Sequence, residues 1–146
     1  MLSRPDVVVG KPESSEVLLA VEVKSVAAQA SVDGLKEYMV RQNCPAGVLV
    51  SPETILFLTN RYTEFQPSSI EQTGTCATSE LLGQTAGRRQ TESDLVERVV
   101  LWLDTLAAAP RSSWPPCARE SIETLVLPAV LNGVLRSAGK RLRRAS

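Results

Sequence analysis

Residues Val17 to Lys24 form a run in which both faces of an extended strand are apolar. Val17, Leu19, Val21 and Val23 share one face, and Leu18, Ala20, Glu22 and Lys24 share the other. A strand of this kind must be covered on each side, which predicts a central strand in a layered fold. Its only polar side chains, Glu22 and Lys24, fall together at its C-terminal end.

The neighbouring segments fit that placement. Val7-Val8-Val9 is a β-branched run ending at Gly10, and Lys11-Pro12-Glu13-Ser14-Ser15-Glu16 is turn material, so 5–24 predicts a β-hairpin with a long loop. Val26 to Gln42 predicts a helix with an apolar stripe of Val26, Ala27, Ala30, Leu35, Tyr38 and Met39, weakened by Gly34 and stopped by Asn43-Cys44-Pro45. Ser25 stands where it can cap that helix. Residues 46–51 and 54–59 predict two more strands joined at Ser51-Pro52-Glu53. The expected class is α/β, a mixed β-sheet flanked by helices, with its core in residues 1–62.

Residues 63–93 are polar and poor in aliphatics, which predicts a long loop with a short helical turn at Ser79–Leu82. Residues 94–146 predict a C-terminal helical segment with a basic tail, part of the same domain. Thr91-Glu92-Ser93-Asp94 resembles a capping box, and Leu95, Val96, Val99, Trp102, Leu103 and Leu106 form a helical stripe after it. A second helix is expected over Ala118 to Arg136, kinked at Pro128. Trp102 and Trp114 read as core or interface residues, with no basic-aromatic interleaving of the kind that stacks single strands.

Several chemistries are excluded by what the chain lacks. It has no His, which removes Ser-His-Asp and Cys-His catalysis and a His general base. Cys44, Cys76 and Cys117 have no paired zinc spacing and are expected to be reduced, partly buried thiols. No apolar run reaches the ~20 residues of a membrane span, and the start lacks a secretory apolar core, which gives an expected cytoplasmic location. Net charge is zero, but Arg136, Lys140, Arg141, Arg143 and Arg144 crowd the last residues without an acid. Such a tail can meet a polyanion, and Arg88-Arg89 in the polar stretch can meet phosphates.

The residues that carry chemistry are Asp6, opening the first strand, and Glu22 and Lys24, closing the second. Phosphodiester hydrolysis needs an activated water and neutralisation of a highly charged transition state, and a hard divalent cation on oxygen ligands does both. Asp6 and Glu22 can hold one such ion, with the Val23 carbonyl as a third ligand. Lys24, two residues past Glu22, projects from the same face and can orient the water or offset phosphate charge. A Glu-x-Lys match alone is expected ~0.4 times by chance in this composition, so its position at the end of a strand is what gives it weight.

Pro5-Asp6, the hairpin, Glu22-Val23-Lys24-Ser25, the helix and the next strand together resemble the PD-(D/E)XK nuclease superfamily, the restriction-endonuclease-like fold, over residues 4–60. That resemblance implies a Mg²⁺- or Mn²⁺-dependent endonuclease acting on DNA, with Asp6 and Glu22 as metal ligands and Lys24 as the catalytic lysine. It offers Ser25 and Tyr38 as substrate contacts, and Asp33, Lys36 and Tyr38 are similar to a helix motif of small bacterial members. Two departures stand out. Five residues precede Asp6 where members carry a helix and a strand, and Gly34 sits where some branches carry Gln, with Gln29 upstream. The alternative is a degenerate or truncated member that binds nucleic acid or protein without catalysis, as a homodimer or with a partner chain completing the sheet.

Overall fold

The computed structural model describes residues 5–26, 28–83 and 91–137. The doubly apolar run becomes β2 (Val17–Val23), lying between β1 (Val7–Gly10) and β3 (Ala46–Val50). β1 pairs with β2 antiparallel, whereas β3 pairs with β2 in parallel. The parallel pair needs a crossover, and α1 (Gln29–Arg41) provides it. β4 (Thr54–Asn60) returns antiparallel to β3. The mixed α/β class expected from the sequence is the class observed.

Each face of the sheet carries its own apolar cluster. Val32, Leu35, Met39 and Val40 of α1 pack on Ala20, Leu49 and Leu58. The other face is larger. There Leu19, Val21, Val23, Val48 and Phe57 meet Leu95, Val99, Leu103 and Leu106 of α3 (Glu92–Leu106), together with Ile122 and Val126. In sequence, β5 (Ile70–Ala77) and the short α2 (Thr78–Leu82) come between β4 and α3. Among the described residues no helix is long and apolar enough to cross a membrane.

The predicted polar loop therefore contains a strand and a helical turn. β5 forms the sheet edge beside β4. Only Ile70 and Cys76, near its ends, are buried, whereas Glu71, Gln72, Thr73 and Thr75 are exposed. An edge strand with that little apolar surface has no period-two signal to detect.

The C-terminal helix is also shorter than expected. α4 (Arg119–Ser121) widens into a π-helical turn over Ile122–Val126, and α5 (Leu127–Asn132) carries Pro128 at its start. Proline donates no N–H, and the wider turn lies immediately before Pro128, where the helical hydrogen-bond pattern changes. The chain then leaves the helix at Gly133 and forms β6 (Val134–Ser137), antiparallel to β1. A Cβ on Gly133 would stand 2.6 Å from Val9 Cγ1 and 2.9 Å from the Gly10 carbonyl oxygen. The absence of a side chain lets the turn from α5 into β6 lie against β1. The sheet order is β5-β4-β3-β2-β1-β6, so the edge beside β1 is filled by the end of the same chain.

Two further expectations are corrected by packing. The β1–β2 register shifts between Val9 and Gly10, and Leu18 is the residue bulged out of the pairing. Val17 consequently packs with the α1 cluster and Leu18 against the α3 cluster, the reverse of strict alternation. Cys76 and Cys117 are not free thiols. They form a disulfide across a sequence separation of 41, with Cα atoms 5.5 Å apart, joining β5 to the segment before α4. Cys44 is a free thiol, as expected, and is fully rather than partly buried. Trp114 is buried and Trp102 packs on the same cluster, consistent with core roles.

Candidate functional site

Alternation along β2 puts Glu22 on the face of Ala20, beneath α1, and Lys24 follows on the same side. Val8 packs with that cluster too, so Asp6, two residues earlier in the chain, belongs to the same face. The register pairs Val7 with Val21, which brings the start of β1 beside the end of β2. Asp6, bonded to Val23, and the Glu22–Lys24 pair thus lie at the same end of the sheet.

The contacts are specific. Asp6 Oδ2 accepts the backbone N–H of Val23 at 2.8 Å, and the Asp6 N–H donates to the Val21 carbonyl at 2.9 Å. Glu22 is buried, with 4% of its surface exposed. Its Oε2 lies 3.3 Å from Lys24 Nζ, and the lysine side chain is 43% exposed. The lysine therefore joins a buried carboxylate to solvent. The Lys24 N–H donates to the Val50 carbonyl at 2.8 Å, holding this end of β2 to β3. Val23 directs its N–H toward Asp6, and in an extended strand the carbonyl of the same residue points to the same side.

The donor set fits a hard cation, because two carboxylates and a backbone carbonyl offer only oxygen. Asp6 and Glu22 belong to no group of three Cys, Asp or Glu ligands within 4.8 Å of one another among the described residues. The one group of three that meets that spacing is Cys76, Glu80 and Cys117, whose two sulfurs are bonded to each other.

Ser25 and Tyr38 are placed differently from expectation. Ser25 does not cap α1: the N-cap residue is Ala28, and no side chain accepts a hydrogen bond there. Ser25 is exposed, and its N–H donates to Glu92 Oε2 at 2.7 Å. Tyr38 lies nine residues past the start of α1, roughly 13 Å along the axis. It is half-buried near Cys44, toward the opposite end of the sheet, and burial, then the neighbouring Cys44 thiol, pushes its phenol pKa up. Tyr38 is a packing residue and is not at the site. Asp33 accepts from Gln29 Nε2 at 2.9 Å on the exposed first turns of α1.

Glu92 is the site neighbour that the sequence did not single out. It sits inside the predicted capping box, which forms as expected: Asp94 N–H donates to Thr91 Oγ1 at 3.1 Å, and the Asp94 carboxylate accepts from Thr91 N–H. With Asp94 occupied by capping, Glu92 reaches back to the segment after Lys24. Arg4, Arg88, Arg89 and the tail Lys140, Arg141, Arg143 and Arg144 lie outside the described residues.

Fold and site together define a mixed α/β protein with a carboxylate-lysine cluster at the end of its central strand. No family model, curated protein or solved structure matches the chain.

Proposed function

We propose that the protein is a metal-dependent endonuclease-like domain that hydrolyses DNA phosphodiester bonds at the end of β2. The observation that carries this reading is the buried Glu22 carboxylate 3.3 Å from a half-exposed Lys24, on the sheet face that also receives Asp6. Asp6, Glu22 and the Val23 carbonyl would hold Mg²⁺ or Mn²⁺. Such an ion, when bound, lowers the pKa of a ligated water and offsets phosphate charge.

The protein's own groups divide the remaining work. Asp6 and Glu22 supply negative charge at a fixed spacing, because one is tied to the Val23 N–H and the other to Lys24. Lys24 holds a positive charge where a phosphate or its attacking water would approach. α1 starts a few residues beyond Lys24 with no acidic residue in its first turn and no side-chain cap, so its partial positive end is not offset by its own helix. Ser137 of β6 pairs with Val7, so β6 ends at the Asp6 end of the sheet.

A second reading is a non-catalytic nucleic-acid-binding or protein-binding module of the same fold. It is favoured by the fact that both carboxylates already have protein partners, which is how strand-end acids serve structure.

Nicking of supercoiled plasmid with Mg²⁺ separates the two. The expected result is cleavage by the wild-type chain that chelation abolishes, and a loss of ~100-fold or more in Glu22→Ala and Lys24→Ala. Equal activity in all three would remove the site assignment. A wild-type chain that retards DNA without cutting it would select the non-catalytic reading.

A further inference from the structure

We propose that Cys76, Glu80 and Cys117 form a redox-gated site for a thiophilic divalent cation such as Zn²⁺, closed in the disulfide state and opened by reduction. The three side chains come from β5, α2 and the segment before α4, and one ligand atom of each lies within 4.8 Å of the others. Glu80 Oε1 is 3.2 Å from Cys117 Sγ. A carboxylate this close to a disulfide sulfur gains no hydrogen bond from it, because neither sulfur carries a proton. Beside a thiolate-bound cation the same carboxylate oxygen becomes a ligand.

The distances suit the exchange. Tetrahedral zinc with Zn–S of ~2.3 Å and Zn–O of ~2.0 Å sets its sulfurs ~3.8 Å apart and each sulfur ~3.5 Å from the carboxylate oxygen. The Sγ···Oε1 spacing is already close to that value. The sulfurs need only to separate after reduction, which rotation about χ1 of each cysteine supplies with the Cα atoms held at 5.5 Å. Three protein ligands leave the fourth position to water. Cys117 is accessible to solvent whereas Cys76 is buried, so an incoming thiolate would attack the Cys117 sulfur.

The chemistry balances with a dithiol as the external reductant. Its first thiolate attacks Cys117 Sγ, the Cys76–Cys117 bond breaks, and Cys76 leaves as a thiolate and takes up a proton. The second thiol of the reductant then displaces Cys117, leaving two protein thiols and an oxidised reductant. Binding of Zn²⁺ releases two thiol protons and forms two Zn–S bonds and one Zn–O bond. Each state joins β5 to the segment before α4, one through a covalent bond and the other through the cation.

The full-length chain is reduced, freed of reductant without air, and titrated with Zn²⁺ and with Co²⁺ as a spectroscopic probe. The expected result is one equivalent more metal for the reduced chain than for the oxidised chain, with thiolate-to-cobalt charge-transfer absorption only in the reduced chain. Glu80 is exposed, so Glu80→Gln should fold as the wild type does. Its affinity should fall by at least the ~10- to 100-fold that loss of an outer partner of a metal ligand costs. Reduced Cys117→Ser, checked for native circular dichroism, should lose the charge-transfer band. Uptake by the reduced chain no greater than by the oxidised one, or an unchanged affinity in Glu80→Gln, would overturn the proposal.

Discussion

The Asp6 carboxylate accepts the Val23 backbone N–H at 2.8 Å, so the acid that opens β1 is fastened to the residue between Glu22 and Lys24. This bond makes Asp6 both a structural tie and a candidate ligand, and substitution can separate the roles. Asn keeps an oxygen that accepts the same N–H but carries no charge. Asp6→Asn should retain most of the stability and lose Mg²⁺-dependent nicking. Asp6→Ala should lose nicking and in addition ~1.5–3 kcal/mol in urea denaturation, the range for a hydrogen bond to a charged group. Full nicking by Asp6→Asn would restrict Asp6 to its structural role.

Lys24 offers the converse separation. Its side chain is 43% exposed, so its ion pair with Glu22 is screened on the lysine side. Lys24→Ala should therefore change stability by ~1 kcal/mol or less. If the lysine acts on water or phosphate, the same change abolishes nicking and leaves Mg²⁺ binding, measured by calorimetry, in place. A parallel loss of folding and activity would count against a chemical role.

Gly133 controls the docking of the last strand. Gly133→Ala places a methyl 2.6 Å from Val9 Cγ1 and within about 3 Å of two carbonyl oxygens, Gly10 and Ala129. The φ there is −135°, which any residue adopts, so the cost is steric alone. We expect a loss of ~1–3 kcal/mol in urea denaturation, with faster amide exchange concentrated at Val7–Gly10 and Val134–Ser137. An unchanged denaturation midpoint would mean that β6 does not press against β1 as described.

Cys44 gives the fold a pH-dependent contribution. Burial pushes its thiol up from 9.0 to about 12, against the lowering effect of the backbone at Ala46 and Ala20. A thiol with a raised folded-state pKa favours the native state fully below the unfolded value. That advantage declines as pH rises from about 9 toward 12, because the unfolded chain ionises first. Wild type should lose more stability across that window than Cys44→Ala, as thermal denaturation at stepped pH would report. At pH 8 a thiol reagent should modify Cys44 only after unfolding.

The legible parts of this fold were those with a dense local signal. The doubly apolar Val17–Val23 run and the Thr91–Asp94 capping box each compress their information into a few residues, and both appear where expected. The α1 helix forms as expected but its stripe is only half right: Leu35 and Met39 are buried and Tyr38 is half-buried, whereas Val26 and Ala30 are exposed and Val32 and Val40 complete the buried face. The placement of Asp6 at the Glu22–Lys24 end of the sheet was legible because a hairpin brings the start of its first strand beside the end of its second. Pairings set by tertiary approach were not. β5 hides in a polar stretch because its exposed face outweighs its two buried residues. β6 hides in a helical pattern because the break comes from one glycine pressed against β1. The disulfide joins positions that no spacing rule links, and the bulge at Leu18 exchanges the faces of two residues without a trace in composition.

Pairing of the first described strand with the last sets the order in which this sheet can be finished. Through most of synthesis β1 presents an open row of backbone donors and acceptors on its outer side, since its neighbour there is β6, which pairs Val134 with Gly10 and Ser137 with Val7. Strands β1 to β5 and the α1 layer on one face can form from the first 77 residues, whereas the closing β1–β6 pair joins segments far apart in sequence and carries a larger loop-closure cost. An unsealed edge of Val7-Val8-Val9 is a template for a neighbouring nascent chain. The interval before residue 137 is made is therefore when this molecule is most exposed to misassembly.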